Sequence, residues 1–341
     1  MFRINFRLLV ACLALNSCTI PLDPQGTALQ VETSLGTVSG CKLFENAQFV
    51  PGLGHSVELP SGATLWTFDG AASAGARADG LAVVLTGKAA ACAGEFGPVV
   101  TALPATATGS DFVTLLDAVR VGSDVWQFYE TWHFAAGAAF GIKTVGRSVA
   151  KFDPAKGNFV RSSQLLWTAD RPAFGQSALV DGNWLYAYGC ASANTGWSRA
   201  CYAARIAVDK IGEGDAWQYA VAVNKFSNKV DEAQPILFDV GDLSLRRHAS
   251  GRLLVTYIKP LDSVMQIRSA LGPTGPFSAA HPLAQCPTTT GNFCVGAVQH
   301  PELDKDTSMI ALAFALASFE KLTDDVKWPR LVQVALPQDL P

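Results

Sequence analysis

One phrase occurs three times in this chain and constrains the fold more than any other feature. The stretches VGRSVAKFDPAKGNF, AARIAVDKIGEGDAWQY and IRSALGPTGPFS each place an arginine before a strand-like run that ends in a glycine turn and an aromatic residue. The arginines, Arg147, Arg205 and Arg268, are 58 and then 63 residues apart. A period of about 60 residues accommodates one four-stranded sheet with its loops, and such sheets stack around an axis to bury their faces. The repeat therefore predicts a ring of similar sheets.

Short apolar runs separated by glycine turns fill the rest of the chain. Examples are LAVVLTGK, GRLLVTYIK and SMIALAFAL, and the dipeptides DG, GN and SG lie between such runs. Charged residues make up only 16% of the 341 residues, which include 30 Gly and 18 Pro. This composition is typical of an extracellular all-β protein. We therefore expect an all-β fold, a five-bladed β-propeller forming a single domain.

Alignment of the repeats gives the expected blades. They are centred near residues 60–105, 110–168, 173–225, 235–288 and 295–336. A strand within residues 31–44 is expected to complete the last or the first blade, because it would remove the open edge that a ring of sheets otherwise exposes.

The N-terminus has the features of an export signal. The segment MFRINFRLLVACLALNSC combines a basic start with an apolar core of about eight residues, too short to cross a bilayer. Its ending, Leu-x-Ser-Cys, resembles the bacterial lipobox, in which Cys18 would be lipidated. An ordinary secretory peptide with a chance cysteine is the alternative. Thr19 after Cys18 favours the outer membrane or the cell surface, because Asp there would suggest the inner membrane.

The expected cleavage divides the chain into three parts. Residues 1–17 are the predicted lipoprotein signal peptide, 18–28 a tether and 29–341 the propeller domain. Loss of Arg3 and Arg7 takes the formal net charge from −3 to −5. Since no basic cluster exists, we expect no nucleic-acid partner. The expected partners are a polysaccharide or envelope component and, through the lipid anchor, the membrane; we expect a monomer.

Six cysteines follow the predicted lipidation site, and an even number in an exported protein indicates disulfides. Two pairs flank hairpin-sized loops, and a third pair is left by elimination. No CxxC or HxxxH spacing supports a metal site. We therefore expect three disulfides and no metal among these residues: Cys190 with Cys201, Cys286 with Cys294, and Cys41 with Cys92.

Polar residues from different blades are candidates for a site at the axial mouth, where propeller loops converge. Carboxylates facing one cavity suit glycoside hydrolysis, in which one acid donates a proton and another attacks or activates water. The candidate catalytic residues are Asp69, Glu130, Asp242 and Glu302. The candidate substrate-binding residues are Ser244, Arg246, Arg247 and His300.

Each candidate has a structural alternative. Asp69 precedes Gly70 and suits a hairpin turn. Glu130 suits a solvated strand end, the two arginines suit ion pairs between blades, and His300 suits a buried hydrogen-bonded position. The motifs GxSxG, GxGxxG and the P-loop are not found.

Several motifs in order resemble one bacterial family. They are LWTFDG, PAFGQSALVDGNWLYAYGC, YAARIAVDKI with DAWQY, VGDLSLRRH, IRSALGPTGPFS and QHPEL, within roughly residues 55–320. The family comprises exported five-bladed propellers catalogued as a domain of unknown function, with some endo-D-arabinanase members. The resemblance implies a furanosidase-like fold and an acid near Phe68-Asp69-Gly70, where Gly and Asp are exchanged relative to the family phrase. Because a one-residue shift turns a strand side chain to the other face, either a bulge keeps Asp69 inward or the acid is displaced.

Two functions follow as hypotheses. The first is a surface-anchored propeller that binds or hydrolyses an extracellular polysaccharide by a two-carboxylate mechanism. The second is a non-catalytic propeller that binds carbohydrate or protein in envelope assembly or adhesion. No cofactor is expected, and the sequence leaves open whether calcium occupies the channel.

Overall fold

Strands dominate the part of the chain that can be described. The structure is a computed structural model, and it describes residues 41–42, 50–68, 71–73, 76–78, 81–85, 99–101, 103, 112–138, 141–162, 164–192, 199–289, 291–304, 306–318 and 328–341. All of these belong to the unit Thr37–Pro341. The predicted signal peptide, the tether and Cys18 lie outside the described residues. Within the described residues, no helix is long and apolar enough to span a membrane.

The strands in chain order are β1 (Cys41–Lys42), β2 (Val50–Pro51), β3 (Gly54–Glu58), β4 (Thr64–Phe68), β5 (Ala71–Ser73), β6 (Ala76–Ala78), β7 (Leu81–Leu85), β8 (Val99–Thr101), β9 (Phe112–Val121), β10 (Asp124–Phe134), β11 (Ile142–Asp153), β12 (Asn158–Arg161), β13 (Trp167–Thr168), β14 (Ser177–Asp181), β15 (Trp184–Ser192), β16 (Arg199–Ala207), β17 (Gln218–Ala222), β18 (Lys225–Ser227), β19 (Leu237–Phe238), β20 (Leu243–Arg247), β21 (Leu253–Ile258), β22 (Val264–Ala270), β23 (His281–Gln285), β24 (Asn292–Gln299), β25 (Met309–Ser318) and β26 (Arg330–Ala335). Single turns of 3₁₀ helix lie at Gly214–Ala216, Val230–Glu232 and Pro301–Leu303.

Four of the larger sheets in the described residues each lie within one stretch of chain. Sheet 1 has the order β3-β4-β7-β8, and sheet 2 has the order β12-β11-β10-β9 with β13 on β11. Sheet 3 has the order β14-β15-β16-β17-β18 with β19 on β16, and sheet 4 has the order β20-β21-β22-β23. Sheet 5 is composite, because β1 from near the N-terminus joins β26, β25 and β24. A small additional sheet contains β2, β5 and β6.

The first strands of these sheets contact one another around an axis. Strand β3 contacts β9, β9 contacts β14, β14 contacts β20, β20 contacts β24, and β24 contacts β3. The predicted all-β fold with a propeller arrangement is therefore confirmed. The described part of the N-terminal strand, Cys41–Lys42, pairs with β26, so it completes the last sheet of the chain and not the first.

Apolar side chains between neighbouring sheets hold the arrangement together. One cluster contains Leu115 between sheets 1 and 2, and another contains Phe128 between sheets 2 and 3. Tyr257 belongs to the cluster between sheets 3 and 4, and Phe314 to that between sheets 4 and 5. Burial of one large apolar side chain stabilises a fold by about 1.5–3 kcal/mol, so this stacking accounts for the alternating apolar runs.

The repeated arginines lie at equivalent places, on the third strands β11, β16 and β22. Arg147 forms a buried ion pair with Glu130, its cross-strand neighbour. Arg205 instead lies over an aromatic ring of its own sheet, 4.1 Å from the ring centroid. Arg268 donates from Nε to the Tyr257 hydroxyl at 3.0 Å. All three contact residues of their own sheet. Arg147 forms an ion pair, whereas Arg205 and Arg268 contact aromatic rings.

Two of the predicted disulfides are confirmed. Cys190 and Cys201 face each other on β15 and β16 and are bonded, and Cys286 is bonded to Cys294. Cys41 is disulfide-bonded, while Cys92 lies outside the described residues. The pairing of Cys41 with Cys92 stays a prediction.

Candidate functional site

A cavity of about 180 Å³ opens where the first strands of the five sheets meet. Its lining comes from the starts of β3 and β20, from the first half of β9, from the second half of β24, and from the loops that precede β3, β14 and β20. The lining residues are Leu53, His55, Thr114, Leu115, Leu116, Gln176, Asp242, Leu243, Ser244, Gly296, Ala297 and Val298. We call this space the axial cavity.

The polar groups of the axial cavity come from four different sheets or the loops before them. Asp242 is the carboxylate among its lining residues, and its side chain is 49% exposed. Arg199 donates to Asp242 Oδ1 at 2.8 Å, and Gln176 Nε2 donates to the same oxygen at 3.4 Å. Gln176 is itself fixed, because its Oε1 accepts the backbone N–H of Cys190 at 2.8 Å. Asp242 is therefore oriented at the cavity but still accessible to a ligand.

A fully buried carboxylate lies next to the axial cavity. Asp117 on β9 accepts two hydrogen bonds from the Arg246 guanidinium and one from the Ala178 backbone N–H at 2.6 Å. His55 Nδ1, on a residue that lines the cavity, is 3.2 Å from Asp117 Oδ1. Burial alone would raise the pKa of Asp117, but Arg246 and His55 outweigh it and lower the pKa to about 2. Asp117 is thus ionised at neutral pH, and its contacts join sheets 1, 2, 3 and 4.

A second buried cluster joins sheets 1 and 5. The Ser56 hydroxyl lies 2.5 Å from His300 Nδ1 and donates to Glu302 Oε1. The Trp66 ring stacks on the His300 ring with the centroids 4.6 Å apart. These contacts hold the 3₁₀ turn after β24 against the first strand of sheet 1.

Burial gives this cluster unusual protonation. It raises the pKa of Glu302 to about 7, with the negative charges of Asp304 and Asp117 adding to the rise and Arg246 opposing it. It also lowers the pKa of His300 well below its usual value, and the positive charges of His55 and Arg246 lower it further. Near neutral pH, Glu302 is therefore partly protonated and His300 is neutral.

The candidate catalytic residues have different positions. Asp69 lies outside the described residues; Phe68, the last residue of β4, pairs with Gly54 beside the axial cavity. Asp242 lines the cavity. Glu302 is 9% exposed and Glu130 is buried against Arg147, and neither is a lining residue. Burial raises the pKa of Glu130, and the Arg147 charge opposes the rise.

Among the candidate binding residues, Ser244 lines the axial cavity. Its hydroxyl accepts the backbone N–H of Gln299 at 3.1 Å. Arg246 forms an ion pair with Asp117, and Arg247 donates a hydrogen bond to Asp181 at 2.5 Å. Both arginines therefore form ion pairs between sheets, which was the structural alternative. His300 is fully buried, so its expected contact with substrate is replaced by the contact with Ser56.

Sequence reasoning did not single out His55, Thr114, Gln176 or Asp117. A signal existed for Asp117, because it is a lone acid inside the apolar run FVTLLDAV, and buried charges are almost always paired. For the others no local signal separates a cavity position from an ordinary strand position. As for metals, no group of three or more His, Cys, Asp or Glu side chains within the described ranges is arranged to hold an ion.

Comparisons with known proteins agree with this architecture. A family model described as "Domain of unknown function (DUF4185)" matches residues 63–321. A solved structure of a proposed hydrolase from Bacteroides ovatus is similar with a TM-score of 0.61 at 12% identity, covering 87% of both chains. The GH43_1 enzyme from Xanthomonas citri complexed with xylotriose is similar with a TM-score of 0.56 at 15% identity, covering 86% of this chain and 90% of that one. An α-L-arabinofuranosidase from Lactobacillus brevis is similar with a TM-score of 0.56 at 10% identity, covering 85% and 92%. No curated protein matches the chain.

Proposed function

The chain belongs to the DUF4185 family, and we propose that it is a propeller of glycoside-hydrolase type that binds and hydrolyses an extracellular polysaccharide at the axial cavity. The observation that carries the proposal is the cavity itself: all five first strands or their preceding loops contribute to it, and it combines an accessible carboxylate with hydroxyl, amide and imidazole groups. Sugars need this mixture, because they present many hydroxyl donors and acceptors. The fold shared with carbohydrate-active enzymes supports the same class of ligand.

The cavity volume favours a single sugar unit. Pockets that enclose drug-sized ligands measure about 300–1000 Å³, so about 180 Å³ suits one ring with the polymer continuing outside. His55, Thr114 and Gln176 are the side chains proposed to bind its hydroxyl groups. They replace Arg246 and His300 in that role, because those two are occupied internally.

For hydrolysis we propose Asp242 as one member of the acid pair and Asp69 as the other. One carboxyl group protonates the glycosidic oxygen as the bond to the anomeric carbon breaks, and the other attacks that carbon or removes a proton from the attacking water. Asp242 is the proposed member because it is accessible and lines the cavity. Asp69 is proposed because it follows Phe68, which pairs with Gly54 between two lining residues.

The alternative function is a non-catalytic propeller that binds carbohydrate or protein. One specific observation favours it: Glu130 and Glu302 are both engaged in internal contacts. If Asp69 is displaced from the cavity, Asp242 would be left without a second acid, and binding alone would be the outcome.

We further propose that the ring has five blades, sheets 1 to 5. The support is the chain of contacts from β3 through β9, β14, β20 and β24 back to β3. On this interpretation sheet 5 is the fifth blade, and the pairing of β1 with β26 brings an early and a late strand of the chain into one sheet.

Lipid anchoring through Cys18 at the outer membrane or cell surface is likewise a proposal, supported by the lipobox-like ending of the first eighteen residues. A Cys18→Ala variant should appear in the soluble fraction after cell lysis, whereas the wild type should sediment with membranes. Sedimentation of both proteins would contradict lipidation at this residue.

A glycan hydrolysis screen tests the proposed activity. Wild type should release reducing sugar from at least one of a panel of arabinans, xylans and bacterial envelope polysaccharides. Asp69→Asn and Asp242→Asn should each lower kcat by about 10²–10⁴-fold, as expected for loss of an acid or base. The matched control is Asp181→Asn, a surface acid paired with Arg247. Activity that survives either of the first two substitutions unchanged would contradict the role of that residue.

A further inference from the structure

A second cavity of about 240 Å³ lies beside the axial cavity. It is bounded by the end of β21 with the turn that follows and by β24. Asp242 and Gly296 line both cavities, so the two spaces adjoin at these residues. We call it the side cavity.

The junction between the two cavities depends on Gly296. This residue has φ 74°, and a Cβ added there would lie 2.5 Å from the Leu53 Cδ1. The register of β24 against β25 shifts between Val295 and Val298, which places Gly296 in the irregular part of the strand. A side chain at this position would displace Leu53, which lines the axial cavity, so glycine is required where the two cavities adjoin.

Apolar side chains form one wall of the side cavity. Leu261 lies in the turn after β21 and has φ 64°, a backbone conformation that leucine rarely adopts. Phe293 is partly buried and presents aromatic surface to the same space. The backbone N–H of Cys294 donates to the Asp262 carbonyl at 3.2 Å, and the Cys286–Cys294 disulfide adds a covalent tie, so this wall is held in place.

The charges of the side cavity are cationic apart from the shared Asp242. Arg199 binds Asp242 at 2.8 Å through one nitrogen, and Lys259 is exposed and has no ion pair among the described residues. The chain as a whole is acidic, with a formal net charge of −3. Since Arg199 offsets the charge of Asp242, Lys259 leaves the side cavity with one net positive charge beside an apolar wall, which suits a ring that bears an anionic group.

We propose that the side cavity is a subsite for an anionic sugar unit, carboxylated or sulfated, adjacent to the unit held in the axial cavity. The inference rests on the proposed function and adds a substrate class to it. The apolar wall packs against the ring, Lys259 and Arg199 bind the anionic group, and the bond between the two units lies at Asp242, where the cavities join.

Calorimetric titration of the full chain with three matched trisaccharides tests this subsite. The probes are trigalacturonate, a sulfated galactotriose and neutral galactotriose. At least one anionic probe should bind about ten-fold more tightly than the neutral one. Lys259→Met, which keeps most of the side-chain length, should reduce that preference by about three- to ten-fold, the range for loss of one partly exposed charged hydrogen bond. Lys225→Met is the control, because Lys225 is exposed on β18 and lines none of the cavities described above.

Phe293→Ala should weaken binding of all three probes equally, because it removes the apolar contact and no charge. Equal binding of the anionic and neutral probes overturns the proposed subsite and leaves the hydrolysis proposal standing. An unchanged preference in Lys259→Met also overturns it. If none of the probes binds, the inference fails, and the hydrolysis screen decides separately on the proposed function.

Discussion

The protonation of Glu302 predicts that this residue makes the fold less stable as pH rises. Its side chain is 9% exposed and its folded-state pKa is about 7, against an ordinary value of 4.5. A carboxyl group whose pKa is raised in the folded state adds most to the free energy of unfolding at pH values below its unfolded-state pKa. This contribution is lost as the pH rises through the folded-state pKa. At about 1.4 kcal/mol for each pH unit, the contribution falls by about 3 kcal/mol between pH 4.5 and pH 8.

Glu302→Gln isolates this effect. In the wild type, His300 has the opposite effect on the pH dependence of stability. Burial lowers the pKa of His300, so its contribution to the free energy of unfolding is lost as the pH falls below the usual pKa of histidine. Taking the difference between variant and wild type at each pH cancels the groups that do not interact with Glu302. His300, 3.9 Å away, cancels as well, because it is already neutral at the pH values where Glu302 ionises. The stability of Glu302→Gln relative to wild type should therefore rise by about 3 kcal/mol from pH 4.5 to pH 8.

Urea unfolding followed by fluorescence of the eight tryptophans measures this difference. Glu232→Gln is the control, because a hydrogen bond from Ser227 lowers the pKa of that exposed carboxyl group and gives a difference of opposite sign. A difference for Glu302→Gln that stays constant with pH, or falls, would refute the reasoning.

Two other predictions concern the scaffold. Arg246→Met should reduce the free energy of unfolding by about 3–5 kcal/mol, because the buried Asp117 loses its partner, whereas Arg247→Met at the adjacent surface pair should cost less than about 1 kcal/mol. Similar urea midpoints for the two variants would contradict the buried role of Arg246. Replacing both Cys190 and Cys201 by Ala should lower stability by about 2–3 kcal/mol through the short closed loop, and an unchanged melting temperature would contradict it.

Local features of the sequence predicted the all-β propeller arrangement. The period of the arginine phrase predicted repeated sheets, because the phrase recurs once in each of three sheets; the structure adds that it lies on the third strand of each. The pairs Cys190 with Cys201 and Cys286 with Cys294 were predictable because short loops bring them together. The arginine phrase and the cysteine pairs both depend on residues that are close together in the sequence.

The site was harder to predict, because its contacts join distant segments. Arg246 and Asp117 are 129 residues apart, and Ser56 and Glu302 are 246 apart. Glu130 and Arg147 were each singled out for different reasons, yet they are partners, and only the register of β10 against β11 reveals it. Acids that the sequence assigned to catalysis are thus partly used to hold sheets together.

Occupation of the axial cavity is the central claim, and calorimetric binding of the best hydrolysed oligosaccharide to a blocked variant tests it most directly. Thr114 lines the cavity and is only partly buried, so Thr114→Trp should fill the space of about 180 Å³ with little effect on folding. The account predicts that wild type binds the oligosaccharide, while Thr114→Trp retains the wild-type melting temperature and loses binding by at least about 100-fold. Wild-type affinity in the folded Thr114→Trp variant would contradict it.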